Sequence, residues 1–319
     1  NRAKQQQRNL YDFMRRLLVK RFESSFGAFD KSIDRFLKTN KMVKSFIEKS
    51  GKYVLDRKVI EQIYLVIEDD FSLDAIEKTL VDFEKNAANK TTPKHTKIYD
   101  VNEFVYKDDF LKHIQSDIVL FEKIKSEIVK LRLVDNDPKR KEVLDKIKQV
   151  IAEKTTPKRK VILFTEYTDT VRHLKDYFES ELKTRVAFCD GSITKKFALE
   201  LDANFNAKYS HPVDDYDVLV TSDKLSEGFN LNRAGVIINY DIPWNPTRVI
   251  QRVGRINRMS AKVFDELYIY NFFPTEQGAD IVKSREIAAQ KMFLIHSALG
   301  EDAKMFDIDE EPSASGLFS

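Results

Sequence analysis

A doubly wound α/β domain, with a parallel sheet covered by helices on both faces and an all-helical region before it, is the architecture the sequence predicts. Three observations carry it. From residue 160 onward, short β-branched or apolar runs alternate with amphipathic segments, the grammar of strand–helix–strand units. Before residue 160, apolar residues instead recur every three or four positions, the helical period. The two regimes meet at Thr155-Thr156-Pro157, a natural break.

In chain order, residues 30–50 form the first periodic helix, with Ile33, Phe36, Leu37, Val43 and Ile47 on one stripe and Gly51 as its stop. Residues 58–68 and 73–86 are the next two, the second striped by Ile76, Leu80 and Phe83. A long helix starts at 108 and carries Leu111, Ile114, Ile118, Phe121, Ile124, Ile128 and Leu131. Asp137-Pro138 then supplies a capping carboxylate and a proline at the first helical position, opening a helix with Leu144, Ile147 and Ile151. The strands follow at 161–165, 186–189, 218–221, 236–240 and 267–272. Helices are expected near 169–182, 195–206, 246–257 and 277–299. In such sheets ligands sit at the carboxyl ends of the strands, so the loops after Thr165, Asp190 and Thr221 are the ones to read for chemistry.

Composition narrows the classes. The chain has 319 residues, 42% of them hydrophobic and 33% charged, enough for about two domains with real cores. No apolar run nears the ~18 residues of a membrane span, so no membrane partner is expected. Cys189 is the only cysteine and lies in an apolar run, which excludes a disulfide framework. A reducing, cytoplasmic setting is expected. The first residue is Asn1, so a fragment or processed chain is expected. Charge is divided unevenly: residues 1–160 hold 36 Lys/Arg against 26 Asp/Glu, and the rest hold 18 against 25. A basic first half suits a polyanion, although a solvated lysine-rich helical surface would look the same.

Three stretches invite a chemical reading. In the helix over 246–257 and the residue after it, Val249, Val253 and Ile256 fall on one stripe, and Gln251, Arg255 and Arg258 on the opposite one. Gly254 beside that polar stripe costs ~0.5–1 kcal/mol relative to alanine and leaves room for a close approach. Two guanidinium forks there suit phosphate oxygens; a solvated arginine face has the same pattern. The second stretch, Thr221–Leu231, leaves a buried strand directly into hydroxyls, carboxylates and Gly228. That suits a phosphate chain and equally a capped turn. In the third, Tyr240-Asp241-Ile242-Pro243-Trp244-Asn245-Pro246, the single tryptophan braces a loop or offers a stacking platform.

Taken together, Val218–Arg258 resembles motifs V, Va and VI of superfamily-two helicases, in the order and spacing of their second RecA-like domain. Asp223-x-x-x-Glu227-Gly228-x-Asn230-Leu231, Tyr240-Asp241-x-Pro243-Trp244-Asn245-Pro246 and Gln251-Arg252-x-Gly254-Arg255-x-x-Arg258 most resemble the Swi/Snf-like branch. Residues 161–174 resemble motif IV and 188–196 motif IVa. The division expected is 1–28 as a linker from a first motor domain, 29–157 as a helical insertion, 158–302 as the RecA-like domain and 303–319 as a flexible acidic tail.

The resemblance implies that Arg255 and Arg258 are arginine fingers supported by Gln251. It also implies that Gly228, Asp223 and Glu227 serve the nucleotide, and that Thr165, Thr221 and Ser222 lie at nucleic-acid phosphates. It further implies ATP and Mg²⁺ held mainly by a first RecA-like domain in cis, with double-stranded DNA as the expected track. No Gly-x-x-x-x-Gly-Lys-Ser/Thr phosphate loop occurs among the nine glycines, and no zinc spacing exists, so no metal ligands are expected in this chain. The 319 residues alone are therefore expected not to hydrolyse ATP. The competing reading is a non-catalytic nucleic-acid or protein docking module on a degenerate RecA-like fold.

Overall fold

The computed structural model describes residues 15–54, 98–183, 185–191, 193–223, 228–243, 246–257 and 263–273. The helices expected at 58–68, 73–86 and 277–299, the acidic tail, and the side chains of Glu227, Trp244 and Arg258 lie outside these residues. The chain divides into two compact units, one made of Asn1–Phe29 with Asn136–Ser319, the other of Asp30–Asp135.

The second unit is built on helices α2 (Phe26–Ser50, which begins in the first unit) and α3 (Lys107–Lys130). Their apolar stripes meet at Ile47, Ile114 and Ile118, with Val101 completing the core and Phe36 stacked on Phe121 at 5.6 Å. Gly51 ends α2 in the left-handed conformation, φ 67°, which a side chain would resist. Right after it comes a departure from the all-helical expectation. Strands β1 (Lys52–Val54) and β2 (Ile98–Asp100) pair antiparallel, Tyr53 opposite Tyr99. Three-residue strands are too short to show a period of two.

The first unit holds the expected sheet. Strands β3 (Lys160–Thr165), β4 (Val186–Cys189), β5 (Val218–Ser222), β6 (Ala234–Asn239) and β7 (Tyr268–Asn271) lie in the order β4-β5-β3-β6-β7, every pair parallel. Their apolar residues, Val161 to Phe164, Val218 to Val220 and Val236 to Ile238, have no exposed surface, as a sheet covered on both faces requires. Helices α4 (Pro138–Ala152) and α5 (Thr168–Glu181) cover one face, packing Leu144, Ile147, Leu174 and Phe178 on Val161, Leu163, Val220 and Ile238. Helices α6 (Lys195–Phe205) and α7 (Pro246–Ile256) cover the other, with Leu201, Phe205, Val249 and Val253 on Ile162, Leu219 and Ile237.

Helix α4 corrects the expected division of the chain. The sequence grouped it with the helical insertion up to residue 157, yet Val143, Leu144, Ile147 and Val150 are core residues of the α/β unit. The break in sequence grammar at 155–157 is a turn inside that unit, and the compact units part at Asp135/Asn136. Asp137 caps α4 as its position predicts, accepting from the amides of Lys139 (3.1 Å) and Arg140 (3.3 Å), with Pro138 behind it.

Candidate functional site

The strand register aligns Thr165 of β3 with Ser222 of β5, and Phe164 with Asn239 of β6, so their carboxyl ends form one rim. Helix α7 lies over it. Its stripe Val249, Val253 and Ile256 is buried at 2–4% exposure, which fixes the opposite face outward. There Gly254 is exposed, and a Cβ built on it would meet nothing within 4 Å among the described residues. The glycine is therefore not demanded by packing within this unit. Gln251 is half-buried. Arg255 is half-buried rather than freely extended, and its carbonyl accepts from the Leu231 amide at 3.0 Å. That bond joins the end of α7 to the turn carrying Gly228, so the two stretches expected to act together are adjacent. Gly228 adopts φ 93°, a conformation that strains any other residue.

Asp223, expected to serve the nucleotide, is turned toward α7. Its Oδ1 accepts from Arg252 Nε at 2.6 Å, and Arg248 Nη1 stands 3.5 Å from its Oδ2. Residues 248 and 252 are one helical turn apart, which is why both reach one carboxylate. The hydroxyls expected at phosphates are buried. Thr165 donates to Asp241 Oδ2 (2.6 Å), Thr221 donates to the Ser222 carbonyl (3.0 Å), and Ser222 Oγ is enclosed with no hydrogen-bond partner among the described residues. The rim is thus tied together inwardly at these positions, and the hydroxyls are not presented to solvent as the sequence led one to expect.

Asp241 is the residue sequence reading passed over. Its carboxylate accepts from Thr165, from Ser24 Oγ (2.6 Å) and from the Glu166 amide (2.6 Å). Ser24 ends helix α1 (residues 15–24), which docks on the rim through polar groups: Lys20 to Glu166 at 2.9 Å and Arg21 to Asp169 at 2.8 Å. Desolvation lowers the Lys20 ammonium and raises the Glu166 carboxyl, each opposed by the attraction of the other. Lys139 donates to the carbonyls of Glu23 (2.8 Å) and Ser24 (3.2 Å) over the ring of Tyr240. Burial pulls that ammonium down to about 8, against the opposing fields of Asp241 and Asp137. The visible signal is the stretch 1–28, expected to be a linker from a first motor domain; contacts more than 110 residues apart in sequence leave no periodic trace.

Among the described residues no group of three or more His, Cys, Asp or Glu is placed to hold a metal ion. Nor is any described helix long and apolar enough to cross a membrane.

The model of the helicase conserved C-terminal domain matches residues 142–260, from α4 through the end of α7. An uncharacterized ATP-dependent helicase, YqhH of Bacillus subtilis, is 29% identical over 174 residues, covering 54% of this chain and 28% of that protein. The DNA repair and recombination protein RAD54B of Mus musculus is 29% identical over 160 residues, 50% of this chain and 17% of that protein. The C-terminal part of the Fun30 ATPase domain aligns in structure at 16% identity with a TM-score of 0.36, covering 59% of this chain and 66% of that one. The chain therefore spans less than a third of the length of YqhH and of RAD54B. The parallel five-stranded sheet with its two helical layers is thus the body in which residues 142–260 match the helicase conserved C-terminal domain.

Proposed function

We propose that this domain is one half of a Swi/Snf-like, nucleic-acid-stimulated ATPase that translocates on double-stranded DNA. The observation that carries the reading is the polar face of α7: buried Val249, Val253 and Ile256 turn it outward, and Gly254 leaves open space beside Arg255. Arg255 and Arg258 act as arginine fingers toward an ATP held by another RecA-like domain, and Gln251 supports them. ATP supplies the bond that is cleaved; the guanidiniums stabilise charge developing on its phosphoryl oxygens. Gly228 and Glu227 are assigned to the nucleotide, and Asp223 contributes by joining the end of β5 to α7. The strand ends at Thr165, Thr221 and Ser222 are assigned to contacts with the nucleic-acid backbone. Mg²⁺ is assigned to the phosphate-binding domain.

The test compares the 319-residue chain with the complete protein, meaning a polypeptide that also carries a phosphate-loop domain. The chain alone shows no ATPase above background, and its duplex binding, followed by anisotropy, is weak and falls with salt, the log–log slope being about −0.9 per phosphate contacted. The complete protein hydrolyses ATP faster with DNA present. Turnover by the chain alone, or tight salt-indifferent binding, overturns the reading.

Gly254→Ala separates stability from function. In the 319-residue chain it raises unfolding free energy by about 0.5–1 kcal/mol, because the methyl meets nothing and the helix loses a flexible position. In the complete protein it lowers turnover, because the space is needed when the cleft closes. Urea titration and steady-state assays read the two effects; a loss of stability, or a gain with unchanged turnover, removes the reason given for the glycine.

A further inference from the structure

Arg252 is the largest side chain in the described structure with no exposed surface. It stands on α7 between the buried stripe and the outward face, where an apolar residue would serve packing at least as well. Its guanidinium instead collects the rim. Nε donates to Asp223 Oδ1 of the β5 turn (2.6 Å), and Nη1 to Asn239 Oδ1 of β6 (2.9 Å) and to the Asp241 carbonyl (3.1 Å). Nη2 lies 4.0 Å from Asp241 Oδ1, and the group sits 5.3 Å above the Phe164 ring of β3. Asn239 passes the connection to β7 by donating to Asn271 Oδ1 at 2.7 Å. One side chain thus ties α7 to four strand ends.

A buried ion pair of this kind is a poor way to gain stability, since an apolar replacement of similar volume is often neutral or better. What the planar fork does give is orientation, because its donors leave at fixed angles. Asp223, held by Arg252 and flanked by Arg248, joins α7 to the end of β5 at one point on the helix. Arg255 follows three residues later, nearly one turn on, and its carbonyl is held by Leu231 beyond the same turn. We infer that Arg252 is a positioning residue for the phosphate-facing end of α7: it fixes the direction in which Arg255 points, through the geometry of its fork rather than through its charge. The inference rests on the proposed reading of Arg255.

The test uses the complete protein at saturating DNA. Arg252→Lys keeps the charge and removes the fork. It is expected to melt within a few degrees of wild type and to keep KM for ATP within about 3-fold. Its kcat falls about 10- to 100-fold, the scale of a misplaced catalytic group. Because Arg252 acts through Arg255, the double variant Arg252→Lys/Arg255→Ala is no slower than Arg255→Ala alone. Normal kcat in Arg252→Lys beside a dead Arg255→Ala overturns the positioning role and leaves the ATPase reading standing. Losses that multiply in the double variant also overturn it, since the two residues would then act separately. Normal turnover in both single variants overturns the reading of Arg255 itself, and the inference with it. If Arg252→Lys does not fold, Asp223→Ala takes its place, removing the acceptor that holds the fork; it should show the same selective loss of kcat, and a wild-type kcat there overturns the inference.

Discussion

In the complete protein, Arg255→Ala is expected to lower DNA-stimulated kcat by about 10³–10⁵-fold while KM for ATP moves far less. The asymmetry follows from where the contact acts. A guanidinium that reaches the terminal phosphate only when two domains close meets charge that develops during transfer, so its removal raises the barrier more than it weakens ground-state binding. The geometry suits this timing. Arg255 is half-buried at the end of a helix whose apolar stripe is locked on the sheet, and its main chain is bonded to Leu231, so the helix that carries it is held in place. Arg255→Lys should recover little, since an ammonium lacks the bidentate fork. Rapid-quench and steady-state assays at saturating DNA measure it. A variant whose kcat stays within a factor of about three of wild type would falsify the finger assignment.

Asp169→Ala is expected to cost the folded first unit about 3 kcal/mol. Arg21 and Asp169 are 2.8 Å apart, with side chains only 3% and 4% exposed, so removing the carboxylate leaves a guanidinium in a place water does not reach. The figure is set at the lower end of the range for broken buried pairs because Arg21 keeps its position over the Tyr167 ring, 4.5 Å from the centroid. Asp169 also lies in the first turn of α5, where a negative charge is favoured. Replacing both partners, Arg21→Met with Asp169→Leu, should return most of the loss. Urea denaturation with an unchanged m-value reads the difference. If the single variant unfolds within about 0.5 kcal/mol of wild type, or the double variant is worse than the single one, the pair is not the anchor of α1.

The strands and helices of the α/β unit were legible because each is long enough to show its own period, and β3 through β7 and α5 through α7 fall within two residues of their expected limits. The buried stripe of α7 was equally legible, since Val249, Val253 and Ile256 repeat at helical spacing. What escaped was everything decided by contacts remote in sequence. Arg252 reads as one more arginine in a polar run, and only the approach of Asp223 and Asn239 shows that it is buried. Asp241 looked like part of a proline-rich loop, yet it receives Ser24 from the start of the chain and Thr165 from β3. Helix α4 was assigned to the wrong unit because a helix's period reveals that it has an apolar face and says nothing of what covers it.

Residues 30–135 form their own compact unit, while the chain on either side of them folds into one body. The two sides are not merely in the same unit: the Phe26 amide donates to Asp137 Oδ2 at 3.2 Å, and His173 bonds that same carboxylate. The chain therefore leaves the sheet-bearing body and re-enters it at nearly one point. That is the geometry of a cassette plugged into a host. A host closed in this way needs only a short peptide to span its gap, so lengthening, shortening or exchanging the cassette changes loop-closure entropy by well under the host's own stability. A change confined to residues 30–135 therefore leaves the strand-end rim of the host as it is.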